Sequence, residues 1–254
     1  DIIWRQTDTS GSTSWERVTD RKFRDESAWY HIVVAYDSSQ GTAADRCKMY
    51  INGTEETSFS GSSNPSSNQD SYTNTSGRAL KFFALHSNTS SQNAGAYFAE
   101  MVYIDGQQLD QTSFGEFDSS SPNIWKPKNV SGLTFGNNGF YLEFKNSGSL
   151  GADTSGNSNN VTFSNIASTD QSTDTCTNNG CTLNRLASVS TPNFTNGNLT
   201  IEGNGTNAAN KGCPATFVLS KGKWYWEMKN ESSNHAQYII PGFMDAAYYS
   251  NMIT

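Results

Sequence analysis

Apolar and polar positions alternate along this chain in short bursts, separated by polar clusters. The strongest burst is Phe23–Asp37, FRDESAWYHIVVAYD. A polar lead, Arg24–Ser27, gives way to Trp29, Tyr30, Ile32, Val33, Val34 and Tyr36. Aromatic and β-branched residues suit a pleated, half-buried surface, and the run has the length of a strand, not a helix. Arg46–Ile51 (RCKMYI) reads as a second strand, turned by Asn52-Gly53, a pair that tolerates the positive φ of a tight hairpin. Ala96–Asp105 (AYFAEMVYID) alternates apolar and polar residues and ends at Asp105-Gly106.

Weaker patterns fill in the rest. Ile2–Gln6 and Ser14–Val18 read as a hairpin around Asp8–Gly11. Ser58–Asn74 and Ser87–Ala94 read as polar loops flanking a strand at Leu80–His86. Leu109–Phe117 reads as a turn that tucks Phe114 and Phe117 under a sheet edge. Phe140–Phe144 (FYLEF) predicts a strand, and Lys145–Asn179 reads as an inter-domain arm with isolated apolar residues. Further strands are expected at Asn198–Glu202, Ala215–Leu219, Trp224–Lys229 and Tyr238–Phe243. In the Trp224 strand, Trp224, Trp226 and Met228 would share one face. The chain opens at Asp1 within a strand signal and ends soon after a new sheet begins, which reads as a segment of a longer polypeptide.

Composition narrows the classes. Of 254 residues 34% are hydrophobic but 12% are aromatic, which suits small β cores filled from alternating positions. The net charge of −7 is spread without a basic patch, so nucleic acid is not expected as a partner. No apolar run is long enough to insert across a membrane as a helix. N-x-Ser/Thr triplets such as those at Asn52, Asn74 and Asn88 arise by chance in a chain this rich in Asn, Ser and Thr.

Three long motifs carry a family resemblance. FRDESAWYHIVVAYD, KMYINGTE and FAEMVYIDGQQLDQTSFGEFD resemble the later strands of a concanavalin A-like (laminin-G-like) jelly-roll domain. In particular they resemble the type found in tail and virion proteins of marine bacteriophages. The tract from Trp125-Lys-Pro127 through GNNGFYLEFKNSGSLGADTSGNSNN and TNNGCTLNRL resembles the connector that follows that domain. NFTNGNLTIEG with SKGKWYWEMK resembles the opening of a SPRY-like β-sandwich. The resemblance implies an all-β chain: an antiparallel jelly-roll sandwich over residues 1–118 without its opening strands, a Gly/Ser/Asn-rich connector over 119–192, and a truncated SPRY-like sandwich over 193–254.

A fold does not specify a function, so catalytic chemistry has to be carried by particular residues. Retaining glycosidases need two carboxylates about 5 Å apart, and no such pair is visible. Glu100 and Asp105 fall on opposite faces of one strand, and Glu100 reads as a solvent-face residue. The three histidines, His31, His86 and His235, accompany no Gly-x-Ser-x-Gly elbow, and His31 and Trp29 read as structural. No enzymatic activity is expected.

Jelly rolls of the resembled kind often hold Ca²⁺ at the rim, which makes Asp37, Asp45 and Asp70 the candidate ligands; no other cofactor is expected. Sugar sites on such domains draw on loop residues, here Asn64, Asn68, Asp70, Tyr72, Asn74 and Asn88, against the simpler reading of solvated capping loops. Cys176 and Cys181 could bridge across Asn178-Asn179-Gly180, with reduced thiols an equal alternative; Cys47 reads as a small core residue.

The resemblance thus implies a non-enzymatic virion protein of a tail fibre or other appendage that binds host-surface polysaccharide. Other virion subunits are its expected partners, and a homo-oligomer such as a trimer its expected state. The alternatives are a purely structural or capsid-decoration role, and a laminin-G-like module of a secreted adhesion protein.

Overall fold

The structure is a computed structural model that describes residues 1–8, 11–25, 28–75, 82, 96–188, 192–202, 212–217, 219, 221–230 and 242–243. The fold is all-β. Regular structure consists of antiparallel strands and short 3-10 turns, with no α-helix among the described residues. In chain order the strands are β1 (Ile3–Thr7), β2 (Thr13–Thr19), β3 (Ile32–Tyr36), β4 (Cys47–Ile51), β5 (Thr54–Glu55), β6 (Phe59–Ser63), β7 (Met101–Tyr103), β8 (Gly115–Phe117), β9 (Trp125–Pro127), β10 (Phe140–Leu142), β11 (Asn193–Thr195) and β12 (Thr200–Glu202). The chain divides into two compact units, Asp1–Asn179 and Gly180–Thr254.

The first unit is built from four small sheets, ordered β1-β2-β6, β3-β4-β5, β10-β7 and β8-β9. The first hairpin lies where the pattern predicts it, with Ile3 opposite Val18. Alternation along β2 buries Trp15, Arg17 and Thr19 on one face. The indole of Trp15 stacks on Tyr36 of β3 at 5.5 Å, and Trp4 meets Trp15 edge-on at 4.8 Å. The β4–β5 turn is also as expected: Asn52 and Gly53 both take positive φ, +47° and +79°, and Ile51 pairs with Thr54. β4 is buried on both faces. Cys47, Met49 and Ile51 form one row, while Tyr50 joins Val33 and Ala35 in a cluster that Phe114 covers. Phe114 also packs on a second cluster, Val130, Phe135 and Tyr141 with Val102, Ile104 and Leu133, so its ring is shared by the two cores.

Several expectations are corrected. Strand β3 begins only at Ile32, and Trp29 lies outside the ladder, half-buried, its indole N–H donating to Asp174 Oδ2 at 3.1 Å. Ser58–Asn74 is not all loop: Phe59–Ser63 pairs with β2 as an edge strand. Sheet pairing uses backbone groups, so a polar run can extend a sheet when side chains such as Ser63, whose hydroxyl accepts from the Glu16 N–H at 3.0 Å, reinforce it. The strand expected over Ala96–Asp105 shrinks to β7, because Glu100 takes φ +54° and breaks the ladder.

The compact units divide at 179/180, so residues 119–179 of the expected connector pack with the first unit. The first part of the supposed connector supplies β9, which pairs with β8, and β10, which pairs with β7. Its arm is folded down as well. Phe163 packs on Phe144 at 6.0 Å, and Gln171 Nε2 donates to the Phe144 carbonyl at 2.7 Å. The physical reason is that neither the 101–103 nor the 115–117 strand has another partner among the described residues; the later segment completes both sheets.

In the second unit β11 and β12 form a hairpin whose turn carries Asn196, Gly197 and Asn198 at positive φ. Leu183 bridges Ala215. Trp224–Lys229 is not a strand, and Trp224, Tyr225, Trp226 and Met228 are exposed, not a shared core face. The strands expected at Leu80–His86 and Tyr238–Phe243 lie outside the described residues, apart from Phe82, Gly242 and Phe243.

Candidate functional site

The loop after β6 is pinned from beneath by side chains of the sheets. Arg17 is only 4% exposed, yet no carboxylate pairs with it among the described residues. Its guanidinium donates instead to the carbonyls of Ser63 (2.7 Å), Glu16 (3.2 Å) and Cys47 (3.4 Å), to Ser62 Oγ (3.1 Å) and to the Asn64 side-chain oxygen, and it lies over the Phe59 ring. This planar fork suits several carbonyls at once. Buried Gln6 donates to the Asp70 carbonyl at 3.2 Å and accepts from the Tyr72 N–H at 3.1 Å. Tyr36 donates its hydroxyl to the Gln69 carbonyl at 2.6 Å, and Arg46 donates to the Pro65 carbonyl at 3.1 Å.

These contacts sort the residues singled out for sugar binding. The Asn64 side chain is committed to Arg17. Asn68 sits at φ +56° with an exposed side chain, its N–H donating to the Ser38 carbonyl at 2.9 Å. Asp70 is exposed and Tyr72 half-buried; both lie close enough to Tyr36 to push its phenol pKa up, behind burial as the largest cause. Asn74 closes a 3-10 turn, Tyr72–Asn74, and Asn88 lies outside the described residues. The loop thus brings Asn68, Asp70 and Tyr72 to one pinned segment.

The Ca²⁺ candidates do not assemble. Among the described residues no group of three or more His, Cys, Asp or Glu side chains could hold a metal. The Asp37 carboxylate accepts from the Ser39 hydroxyl and N–H and from Gln40, bonds that hold its pKa below the usual range. Asp45 is 3.1 Å from Lys48. All four cysteines are unbridged, Cys176 and Cys181 included, and they stand in different units. Cys47 is a core residue, 2% exposed, its thiol pushed up to about 12 by burial, against the pull of Arg17. His31 Nδ1 accepts from the Trp125 indole N–H at 3.0 Å, and burial lowers its pKa.

One pairing was invisible in the sequence. Glu100, far from solvent-facing, is half-buried in a cleft that Glu143 also lines, because β7 and β10 run side by side with Met101 opposite Leu142. Burial, then the Glu143 charge, raises the Glu100 pKa, against the opposing charge of Lys145. Glu143 is held by Lys145 at 2.5 Å. Only the alternation in FYLEF hinted that Glu143 borders a strand; its partner strand could not be read. A second polar cleft, lined by Gln40, Asp45, Lys48, Tyr50, Gln108 and Asp110, lies beside β3 and β4.

No protein-family model, curated protein or solved structure matches this chain.

Proposed function

We propose that this chain is a non-enzymatic adhesion module of a virion appendage that binds host-surface polysaccharide through the 64–74 loop. The observation that carries the reading is the pinning of that loop. Gln6, Tyr36 and Arg46 hold its backbone carbonyls and Arg17 holds its Asn64 side chain, so Asn68, Asp70 and Tyr72 are presented with little ordering entropy left to lose on binding. The virion setting rests on the sequence resemblance. In the same reading the β1-β2-β6 and β3-β4-β5 sheets, stacked through Trp15 and Tyr36, are part of a jelly-roll sandwich, and the second unit is the opening of a SPRY-like one. Individual contacts to neutral sugar are weak. Repetition in a homo-oligomeric appendage, for instance a trimer, would raise avidity by about 10²- to 10⁴-fold without new contacts.

The test is binding of the protein to bacterial cells with and without competing cell-surface polysaccharide. Saturable binding that polysaccharide removes, weakened about tenfold or more by Asp70→Ala or Tyr72→Ala, supports the proposal. Binding that ignores both the competitor and the loop substitutions refutes it. A second reading, a structural or decoration role against other virion subunits, is favoured by the exposed Trp224, Tyr225, Trp226 and Met228 of the second unit.

A further inference from the structure

The cleft beside β7 and β10 has a volume of about 440 Å³, and Glu100, Pro127, Lys128, Tyr141, Glu143 and Thr154 line it. That is the size of a pocket for a small ligand. Two of its polar groups are unspent. Tyr141 is nine-tenths buried, its ring held parallel to Phe135 at 6.4 Å, yet its hydroxyl has no hydrogen-bond partner among the described residues. The hydroxyl itself keeps some exposed surface and so is open to a ligand in the cleft. The Glu100 carboxyl likewise makes no hydrogen bond or ion pair there, although burial and Glu143 both favour its protonated, hydrogen-bond-donating form. Its backbone is held at φ +54°, a conformation that clusters at functional sites.

The remaining groups narrow the ligand class. Glu143 is already paired with Lys145, and the Lys128 ammonium donates to the Thr112 carbonyl at 3.0 Å and lies 3.8 Å from Glu116. An anion would face two carboxyl groups. A metal would find no third ligand among the described residues. A cationic ligand would compete with lysines already in place. A neutral polyol suits what is left: a phenol that donates or accepts, a carboxyl that does either, and the Pro127 ring as an apolar strip for C–H groups.

We propose that this cleft is a saccharide subsite separate from the 64–74 loop, in which the Tyr141 hydroxyl and the Glu100 carboxyl bond neighbouring hydroxyls of one sugar ring. The inference shares with the adhesion reading only its ligand class.

The experiment is titration of the ¹⁵N-labelled protein with methyl β-glucoside, methyl β-galactoside and methyl N-acetyl-β-glucosaminide, following backbone amide shifts. At least one glycoside is expected to shift the amides of Tyr141, Glu143 and Thr154 saturably. Tyr141→Phe and Glu100→Ala should each weaken that binding about fivefold or more, the loss of one hydrogen bond. Tyr141→Phe should keep the unfolding midpoint, since the hydroxyl it removes has no partner among the described residues. Shifts confined to residues 68–72 with the cleft amides still would overturn this proposal and leave the adhesion reading standing. No shift with any glycoside, or unchanged affinity in both variants, would also overturn it. The cell-binding competition judges the adhesion reading by itself.

Discussion

Replacing Gly115 with alanine probes a close junction in the first unit. Trp125 lies against two glycine backbones, Gly53 in the β4–β5 turn and Gly115 in β8. A Cβ on Gly115 would stand 2.5 Å from the indole Cε2 and Cζ2 and 2.6 Å from Nε1. Ordinary contact needs about 1 Å more, so the indole must shift. It is restrained by its bond to His31 Nδ1 at 3.0 Å, by the backbone of Gly53 and by the edge-on Phe117 ring at 5.0 Å. Overpacking of this kind costs about 1–3 kcal/mol, and loss of the indole hydrogen bond adds about 1 kcal/mol. Gly115 does not have a positive φ, so alanine introduces no backbone strain and by itself would stabilise by about 0.4–1 kcal/mol through the unfolded chain. The expected net effect of Gly115→Ala is therefore a loss of about 1–3 kcal/mol. Urea unfolding read by fluorescence and circular dichroism should show a lower midpoint at an unchanged m-value. In a Trp125→Ala background the same substitution should become neutral or stabilising, a coupling of about 2–3 kcal/mol. If Gly115→Ala raises stability in the wild-type background, the packing argument is wrong.

Other substitutions and pH changes test separate parts of the structure. Arg17→Lys should destabilise by about 2–4 kcal/mol in the same unfolding assay, because an ammonium cannot serve carbonyls of Ser63, Glu16 and Cys47 together; an unchanged midpoint would mean the buried fork is dispensable. Asp153 accepts from the N–H groups of Tyr141, Ser155 and Asn159 and from the Ser155 hydroxyl, so Asp153→Ala should cost about 2–3 kcal/mol. Burial would raise the Asp153 pKa, but these bonds outweigh it and lower it; their stabilisation is present above the unfolded carboxyl value and is lost as pH falls through the folded one. His31 is shifted down by burial, so its contribution is complete above about pH 6.5, its unfolded value, and declines as pH falls toward the folded pKa, when protonated Nδ1 no longer accepts from Trp125. Stability measured across this range should drop in the wild type, and His31→Phe should flatten that portion of the profile; an identical profile in the variant would refute the assignment.

Local patterns determined what local chemistry controls. The first hairpin, the Asn52-Gly53 turn, β4 and the short strand in FYLEF all follow from side-chain alternation and from residues that tolerate positive φ, and each appears where the sequence places it. The polar edge strand β6 was not readable, because its ladder is carried by backbone groups and its side chains report nothing apolar. The end of the first unit was not readable either: Gly-, Ser- and Asn-rich residues between 119 and 179 resemble a linker in composition, yet they complete the β7 and β8 sheets. The 64–74 loop was visible as a polar loop, but the buried Arg17 and Gln6 that pin it stand in β2 and β1, about fifty to seventy residues earlier. Glu100 and Glu143 meet only because two strands pair. Sequence spacing reports which face of a strand a residue takes; which strand lies beside it is a choice made by the folded chain as a whole, through the burial and pairing of distant segments.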